Sequence, residues 1–156
     1  MTKTGISFRR ATSADLPAVV HMLADDELGA QRESAGYPLP DSYHQAFEQI
    51  DRDPNHELIV AELNGELVGT LHLMFLPSIS HQGGLRSQVG SVRVDRKFQN
   101  KSIGSQMMEY AIQRAKARGA HLMQLTTHSP RRDAHRFYER LGFEGSHLGM
   151  KLKLHP

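Results

Sequence analysis

The stretch from residue 89 to residue 119 has the residue types and spacing of a phosphate-binding unit. A β-branched run between Val89 and Val94 predicts a buried strand, and polar residues then break it. From Ile103 onward the apolar residues recur at helical spacing, on one inward-facing stripe. Gly119 follows two cationic residues and predicts the end of that helix.

The first turn of this helix is the candidate phosphate site. Ser102 is predicted to cap the helix, and Ile103, Gly104 and Ser105 carry backbone N–H groups at the positive end of the helix dipole. Gly104 lacks a Cβ, so a phosphate oxygen could approach the backbone closely. Lys101 would add a cation beside it. The same pattern is more often an ordinary capped helix after a strand, so this turn alone does not establish a phosphate site.

Composition restricts the other chemistry. The 156 residues include no cysteine, which excludes disulfides and a thiolate nucleophile. Ten histidines are scattered without metal-ligand spacing, so no metal site is expected. A formal net charge of +2 is too small to argue for nucleic acid as a partner. Three neighbouring carboxylates, Asp25, Asp26 and Glu27, could attract a cationic amine, but a solvated helix end explains them more simply.

The composition is that of an ordinary folded protein, at 38% apolar and 23% charged residues. We expect one domain over residues 1–156. No apolar run approaches the ~18 residues of a membrane-spanning helix, and the N-terminus lacks the apolar core of a signal peptide. We therefore expect a cytoplasmic protein without a membrane partner.

Periodicity and turn signals predict the element order β-α-α-β-β-β-α-β-α-β-β. Asn64-Gly65 predicts a two-residue hairpin, and residues 28–41 and 77–86 are predicted as irregular connections. Residues 121–127 are predicted as a strand, and Ser129-Pro130 as a helix start. Residues 143–144 and 149–154 are predicted as closing strands. Periodicity alone indicates an α/β or α+β domain with a mixed sheet.

Two motifs resemble those of one family. Residues 99–105, Gln-Asn-Lys-Ser-Ile-Gly-Ser, resemble the acetyl-CoA pyrophosphate loop of the GNAT N-acetyltransferase superfamily, usually Arg/Gln-x-x-Gly-x-Gly/Ala. Gln99 and Gly104 match, whereas Ser102 stands where the first glycine is usual. Residues 134–143 are similar to the family's second cofactor motif, A-x-x-F-Y-x-x-x-G-F. The resemblance implies a mixed, mostly antiparallel central sheet of about six to seven strands flanked by about four helices.

The resemblance also implies an activity: transfer of an acetyl group from acetyl-CoA to a primary amine of a small molecule or protein, by direct attack in a ternary complex. In the family, the central strand splays from its neighbour and binds the pantetheine arm through its backbone, here at Ser91, Val92, Arg93 and Val94. The residues that the resemblance assigns to the rest of the cofactor are Gln99, Asn100, Lys101, Ser102, Ile103, Gly104, Ser105, Arg131, Phe137 and Tyr138. Arg131 replaces an asparagine common in the family, so it could meet the cofactor or solvent. Tyr138 is the implied general acid that protonates the leaving thiolate.

The base is open. Gly90 stands where many relatives have a glutamate, and His128 or His72 could replace it, although packing explains His72 more simply. A relaying water or capture of an already neutral amine would serve equally. The competing hypothesis is a non-catalytic acyl-CoA-binding sensor or interaction module of the same fold. The sequence is also compatible with a homodimer.

Overall fold

The computed structural model of the chain describes residues 5–99, 101–128 and 132–155. In these ranges there are five strands and six helices. The strands are β1 (Ile6–Arg10), β2 (His56–Leu63), β3 (Glu66–Pro77), β4 (Leu85–Val94) and β5 (Leu122–Gln124). The helices are α1 (Leu16–Ala24), α2 (Glu27–Arg32), α3 (Asp41–Arg52), α4 (Ser80–Gly83), α5 (Ile103–Ala117) and α6 (Arg132–Arg140).

The strands form one sheet in the order β1-β2-β3-β4-β5. Pairing is antiparallel from β1 to β4 and parallel between β4 and β5. The chain forms two compact units, the first ending at Gln124 and the second beginning at Leu125. The predicted fold class, a mixed and mostly antiparallel sheet with flanking helices, is confirmed.

Local signals account for the best-predicted elements. Asn64 and Gly65 have φ of 53° and 81°, as a type I′ hairpin turn between β2 and β3 requires. Thr12 and Asp15 form a capping box, in which the Thr12 N–H donates to Asp15 Oδ2 at 2.7 Å. This capping box opens a short 3-10 turn that leads into α1.

One part of the core of the first unit lies between the sheet and α5, and a second buried cluster includes residues of α1, α3 and β2. The predicted stripe of α5 is buried at Ile103, Met107, Met108, Ala111 and Ala115. It packs on the sheet beside the buried side chains of Val68, Leu71, Leu73, Phe75 and Val89. A Cβ at Gly69 of β3 would lie 2.5 Å from Met107 Sδ, so the absence of a side chain allows α5 to approach closely.

A buried carboxylate ties the end of α5 to β2. Glu57 is only 3% exposed and accepts hydrogen bonds from Arg114 Nε at 3.0 Å and Nη2 at 2.6 Å. Arg118 Nη1 lies 3.8 Å from the same carboxylate, and its guanidinium stacks 4.1 Å above the Phe75 ring. Such paired, charge-assisted contacts are the condition under which a carboxylate can be buried.

The helix count differs from the prediction because two short helices lie in segments predicted as irregular. Helix α2 begins after Asp26, whose carboxylate accepts from the Gly29 N–H at 2.6 Å. Helix α4 occupies the loop before β4 and is itself distorted, with His81 and Gln82 in left-handed conformations. Six helices are therefore described where about four were predicted.

The strand count was also wrong. Strand β5 is only Leu122–Gln124, shorter than the predicted 121–127, and residues 143–144 and 149–154 form no strand in the described chain. The alternation that suggested a closing strand is real, but Leu148, Met150, Leu152 and Leu154 are 84–86% exposed. An alternating sequence becomes a strand only where a partner strand and a surface cover it. Five strands replace the predicted six to seven.

None of the helices that the structure describes is both long enough and apolar enough to span a bilayer.

Candidate functional site

Strand β4 continues where its parallel neighbour stops. Pairing between the two strands covers Arg86 with Leu122, Ser87 with Met123, and Gln88 with Gln124. At the last pair, Gln124 Nε2 donates to Gln88 Oε1 at 2.9 Å. Beyond it, residues 89–94 of β4 pair only with β3 among the described strands. In this stretch β4 extends beyond β5, and the backbone N–H and C=O groups of a strand that runs past its neighbour can bind an extended ligand as another strand would.

A bulge redirects the same stretch. The register between β3 and β4 shifts between Thr70 and His72, and Ser91 has a left-handed φ of 53°. Bulges are frequent beside active sites, where they re-aim a strand. Gly90 lies opposite His72, and a Cβ added there would meet only Met74 Cε, at 3.6 Å. Packing therefore does not explain the glycine at this position.

The first turn of α5 differs in detail from the predicted cap. Ser102 has φ 59° and ψ 14°, the left-handed conformation that glycine adopts most readily. Its side chain accepts from Gln106 Nε2 at 3.4 Å and, within the described residues, caps no helix N–H. The prediction that Ser102 caps α5 was therefore wrong. The left-handed geometry explains why the related motif usually has glycine at this position.

The rest of the loop lies between β4 and α5. Gln99 Nε2 is 3.5 Å from the Val94 carbonyl oxygen, and Asp95 accepts from the Lys97 N–H at 2.9 Å. Lys101 is exposed, and Ile103 is buried. Asn100 lies outside the described residues. Because α5 has 15 residues and no side-chain cap from Ser102, its first-turn N–H groups are suited to an anion.

The acidic cluster is engaged by cations of the chain itself. Asp25 Oδ1 lies 3.1 Å from Arg96 Nη2, and Asp26 Oδ2 lies 3.5 Å from Arg93 Nη2 on β4. Asp26 also caps α2. These pairs engage two of the three carboxylates and favour the simpler interpretation of the cluster as a helix end.

A cavity of about 130 Å³ opens between α1, α3 and the sheet. Its walls are mostly aliphatic and aromatic, and its polar groups come from Tyr43, Thr70, His72 and Ser91. The remaining lining residues are Leu16, Val19, Val20, Leu23, Ala46, Phe47, Ile50 and Leu58. Ligand sites share this apolar lining with a few converging polar groups, but they are usually larger, at about 300–1,000 Å³.

His72 is the one titratable group of this cavity with a histidine partner. Its Nε2 lies 2.9 Å from His56 Nδ1 on β2, and His56 Nε2 lies 3.8 Å from Asp53 Oδ2. Burial, followed by repulsion from the charge of His56, lowers the pKa of His72 to about 4. At neutral pH the imidazole of His72 is therefore uncharged and retains a lone pair.

Sequence reasoning missed His56. Counting back from the hairpin, Leu63 pairs with Glu66, so His56 would face the opposite side of the sheet from His72. A bulge between Ala61 and Glu62 shifts the register by one residue, and the structure pairs Leu58 with His72. His56 thereby comes to the same face as His72.

The second unit contains the remaining predicted residues. Tyr138 on α6 is half-buried and contacts the rings of Phe137 and Phe143, with centroid distances of 5.1 and 5.8 Å. His128 is exposed. Arg131 and the predicted helix start at 129–130 lie outside the described residues. The roles assigned to Tyr138, His128 and Arg131 remain predictions.

Among the residues that the structure describes, no group of three or more His, Cys, Asp or Glu side chains is placed to hold a metal ion.

Comparison with known proteins matches this chain to acetyltransferases. The profile of the acetyltransferase (GNAT) family matches residues 19–143. An aminoalkylphosphonate N-acetyltransferase from Salmonella typhimurium is 32% identical over 145 residues, which are 90% of this chain and 86% of that protein.

Solved structures give the same answer for the fold. A transcriptional regulator from Bacillus halodurans C-125 has a TM-score of 0.93 and 49% identity, covering 96% of this chain and 99% of that one. Glucosamine-6-phosphate N-acetyltransferase from Arabidopsis thaliana has a TM-score of 0.78 at 19% identity, over 96% and 99% of the two chains. At that identity the second likeness concerns the fold alone.

Proposed function

This chain belongs to the GNAT acetyltransferase family, and we propose that it transfers the acetyl group of acetyl-CoA to a primary amine. One observation supports the proposal above the others. Strand β4 runs past the end of β5, and the chain then leads into the uncapped first turn of α5. A strand that extends past its parallel neighbour, followed by a helix N-terminus, is suited to offer hydrogen bonds first to amide groups and then to a diphosphate.

The residues present fit this cofactor. The backbone of Val92, Arg93 and Val94 would bind the pantetheine amides by strand addition. The loop of Gln99, Asn100, Lys101 and Ser102 and the first turn of Ile103, Gly104 and Ser105 would hold the diphosphate. We keep Arg131 and Phe137 as proposed contacts with the cofactor. The thioester, when bound, supplies the activated acetyl group.

The chemistry of the chain favours direct attack by the amine. No cysteine is present to form a thioester with the protein. We propose Tyr138 as the acid that protonates the departing thiolate, since a phenol with a pKa of about 10 suits that step. A histidine would take the proton of the amine, with His128 and His72 as the candidates.

We propose a small primary amine as the acceptor, with an exposed protein amine as the wider class. A cavity of about 130 Å³ with mostly apolar walls is compatible with a short carbon chain. The Salmonella relative carries the name of an enzyme acting on aminoalkylphosphonates, and these compounds therefore open the acceptor panel.

The test incubates the full chain with acetyl-CoA and a panel of aminoalkylphosphonates, alkylamines, aromatic amines and lysine peptides. Free thiol is measured, and acetylated products are identified by mass. We expect thiol release that depends on one class of amine and yields the N-acetyl product. Release without any acetylated amine, or none across the panel, would contradict the proposal.

A non-catalytic acyl-CoA sensor is the second candidate, favoured by the name of the Bacillus halodurans neighbour, a transcriptional regulator at 49% identity. Calorimetric titration with acetyl-CoA separates the two functions. A sensor would bind acetyl-CoA and release no thiol with any amine, whereas an enzyme would do both.

A further inference from the structure

We propose that His72 takes the proton from the acceptor amine during acetyl transfer, and that His56 and Asp53 carry it toward solvent. The inference rests on the proposed function and names the base that this function needs. It selects His72, for which packing was the simpler sequence-based explanation, over His128.

Position is the first argument. His72 and Ser91 line the same cavity, and Ser91 forms the bulge in the strand proposed to hold the cofactor. An amine whose carbon chain occupies the cavity would have its nitrogen bounded by His72 on one side and β4 on the other. His128 is exposed.

The hydrogen-bond partners of the two histidines also set their tautomers. His56 Nε2 lies 3.8 Å from the Asp53 carboxylate, which favours a proton on that nitrogen. His56 Nδ1 is then bare and accepts, across 2.9 Å, the hydrogen on His72 Nε2. The second nitrogen of His72, Nδ1, is consequently left with a lone pair. A negative charge behind the pair thus prepares His72 to accept a proton.

The proton balance follows from this arrangement. The amine nitrogen forms a bond to the thioester carbonyl carbon, and the carbon–sulfur bond breaks with its electron pair going to sulfur. The proton lost by nitrogen goes to His72 Nδ1, while the hydrogen on Nε2 moves to His56 Nδ1. His56 becomes an imidazolium beside Asp53 and, being partly exposed, returns its proton to water. The thiolate receives its own proton from the acid.

Charge supports the same roles. Burial keeps the pKa of His72 well below its usual value, at about 4, so the imidazole is free to accept across the neutral range. The titratable groups that the described chain places around it are His56, with Asp53 behind, and Tyr43 across the cavity. Tyr43 is occupied, because its hydroxyl donates to Glu33 and accepts from the Ser34 N–H. A base this weak can act because an amine nitrogen becomes far more acidic once it bonds to the carbonyl carbon.

The kinetic test compares His72→Asn with His44→Asn, the same substitution at an exposed histidine of α3. We expect His72→Asn to lower kcat by about 10²–10⁴-fold with little change in KM, and His44→Asn to leave both unchanged. Protonation of the amine changes kcat/KM of the wild type and of His72→Asn equally. The ratio of the two kcat/KM values at each pH therefore reports the protonation of His72 alone. That ratio should be constant above about pH 5 and should fall as the pH decreases through about 4. A ratio that stays level, or a loss in His128→Asn with none in His72→Asn, would overturn the proposal.

A second measurement needs no turnover and no variant at His72. Nitrogen NMR of the labelled wild-type protein should give His72 protonated at Nε2 and bare at Nδ1. His56→Asn should raise the pKa of His72, because it removes the neighbouring charge. A proton on His72 Nδ1 would refute the role. If the wild type acetylates no amine, the proposed function fails, while the NMR result still decides the arrangement of the two histidines.

Discussion

Replacement of Gly29 by alanine should unfold the corner between α1 and α2 at lower temperature than in the wild type. Gly29 is buried, and its N–H donates to the Asp26 carboxylate at 2.6 Å. A Cβ at this position would fall far inside contact distance of the Leu23 carbonyl oxygen, and 3.0 Å from Asp26 Oδ1. The Leu23 oxygen belongs to the backbone, so no side-chain rotation relieves the clash. Helix α2 would have to move.

The magnitude follows from two opposing effects. Overpacking a filled site costs about 1–3 kcal/mol, and a clash with backbone places Gly29→Ala near the upper limit. The higher helix propensity of alanine stabilises the folded state by about 1 kcal/mol relative to glycine. A net loss of ~2 kcal/mol remains. For a chain of this size, each kcal/mol lowers Tm by about 2–4 °C, so Tm should fall by about 4–8 °C.

The chain offers a matched control in Gly36→Ala. A Cβ there would meet no described heavy atom within 4 Å, and its φ lies outside the left-handed range. Thermal and urea unfolding, followed by circular dichroism, should give a Gly36→Ala variant within about 0.5 kcal/mol of the wild type. Equal Tm values for the two variants would refute the clash, since only Gly29 faces the Leu23 carbonyl.

Three further predictions concern other parts of the molecule. Glu57→Gln removes the charge that Arg114 and Arg118 share. Because both arginines are partly exposed, the cost in urea unfolding should be that of weakened charged hydrogen bonds, about 1.5–3 kcal/mol, and a loss below about 1 kcal/mol would mean that the pair is not held in solution. Ser102→Gly removes about 1–2 kcal/mol of left-handed backbone strain from the folded state. Glycine also stabilises the unfolded chain by ~1 kcal/mol through its added freedom, so the two effects nearly cancel and Tm should stay the same or rise. Its acetyl-CoA affinity in calorimetry should also hold, and a tenfold loss would assign a binding role to the hydroxyl. Tyr138→Phe should lower kcat by about 10²–10⁴-fold at unchanged acetyl-CoA affinity. A folded variant with wild-type kcat would exclude Tyr138 as the acid, provided that the chemical step limits turnover.

The sequence alone determined the features that depend on neighbouring residues. The left-handed pair Asn64-Gly65 closes a hairpin whatever surrounds it, and the apolar stripe from Ile103 to Ala115 specifies both the helix and its buried face. The two motifs, at residues 99–105 and 134–143, were sufficient by themselves to indicate the family. Each of these signals spans fewer than about twenty residues and rests on local backbone and side-chain preferences.

Only the tertiary structure decided the features that depend on partners distant in sequence. The alternation at 148–154 predicts a strand, yet a strand requires a covering partner, and those side chains are exposed. Strand β5 ends at Gln124, so its pairing with β4 stops at Gln88, and no local signal in either strand marks that point.

The histidine pair is the clearest example. His56 and His72 are both visible in the sequence, but the register implied by the hairpin places them on opposite faces of the sheet. One extra residue at the bulge between Ala61 and Glu62 reverses that placement, because side chains alternate between faces with a period of two. Whether the two histidines meet on one face of the sheet or point apart thus depends on a single unpaired residue in the ladder, which is decided by how β2 and β3 pack in the folded sheet.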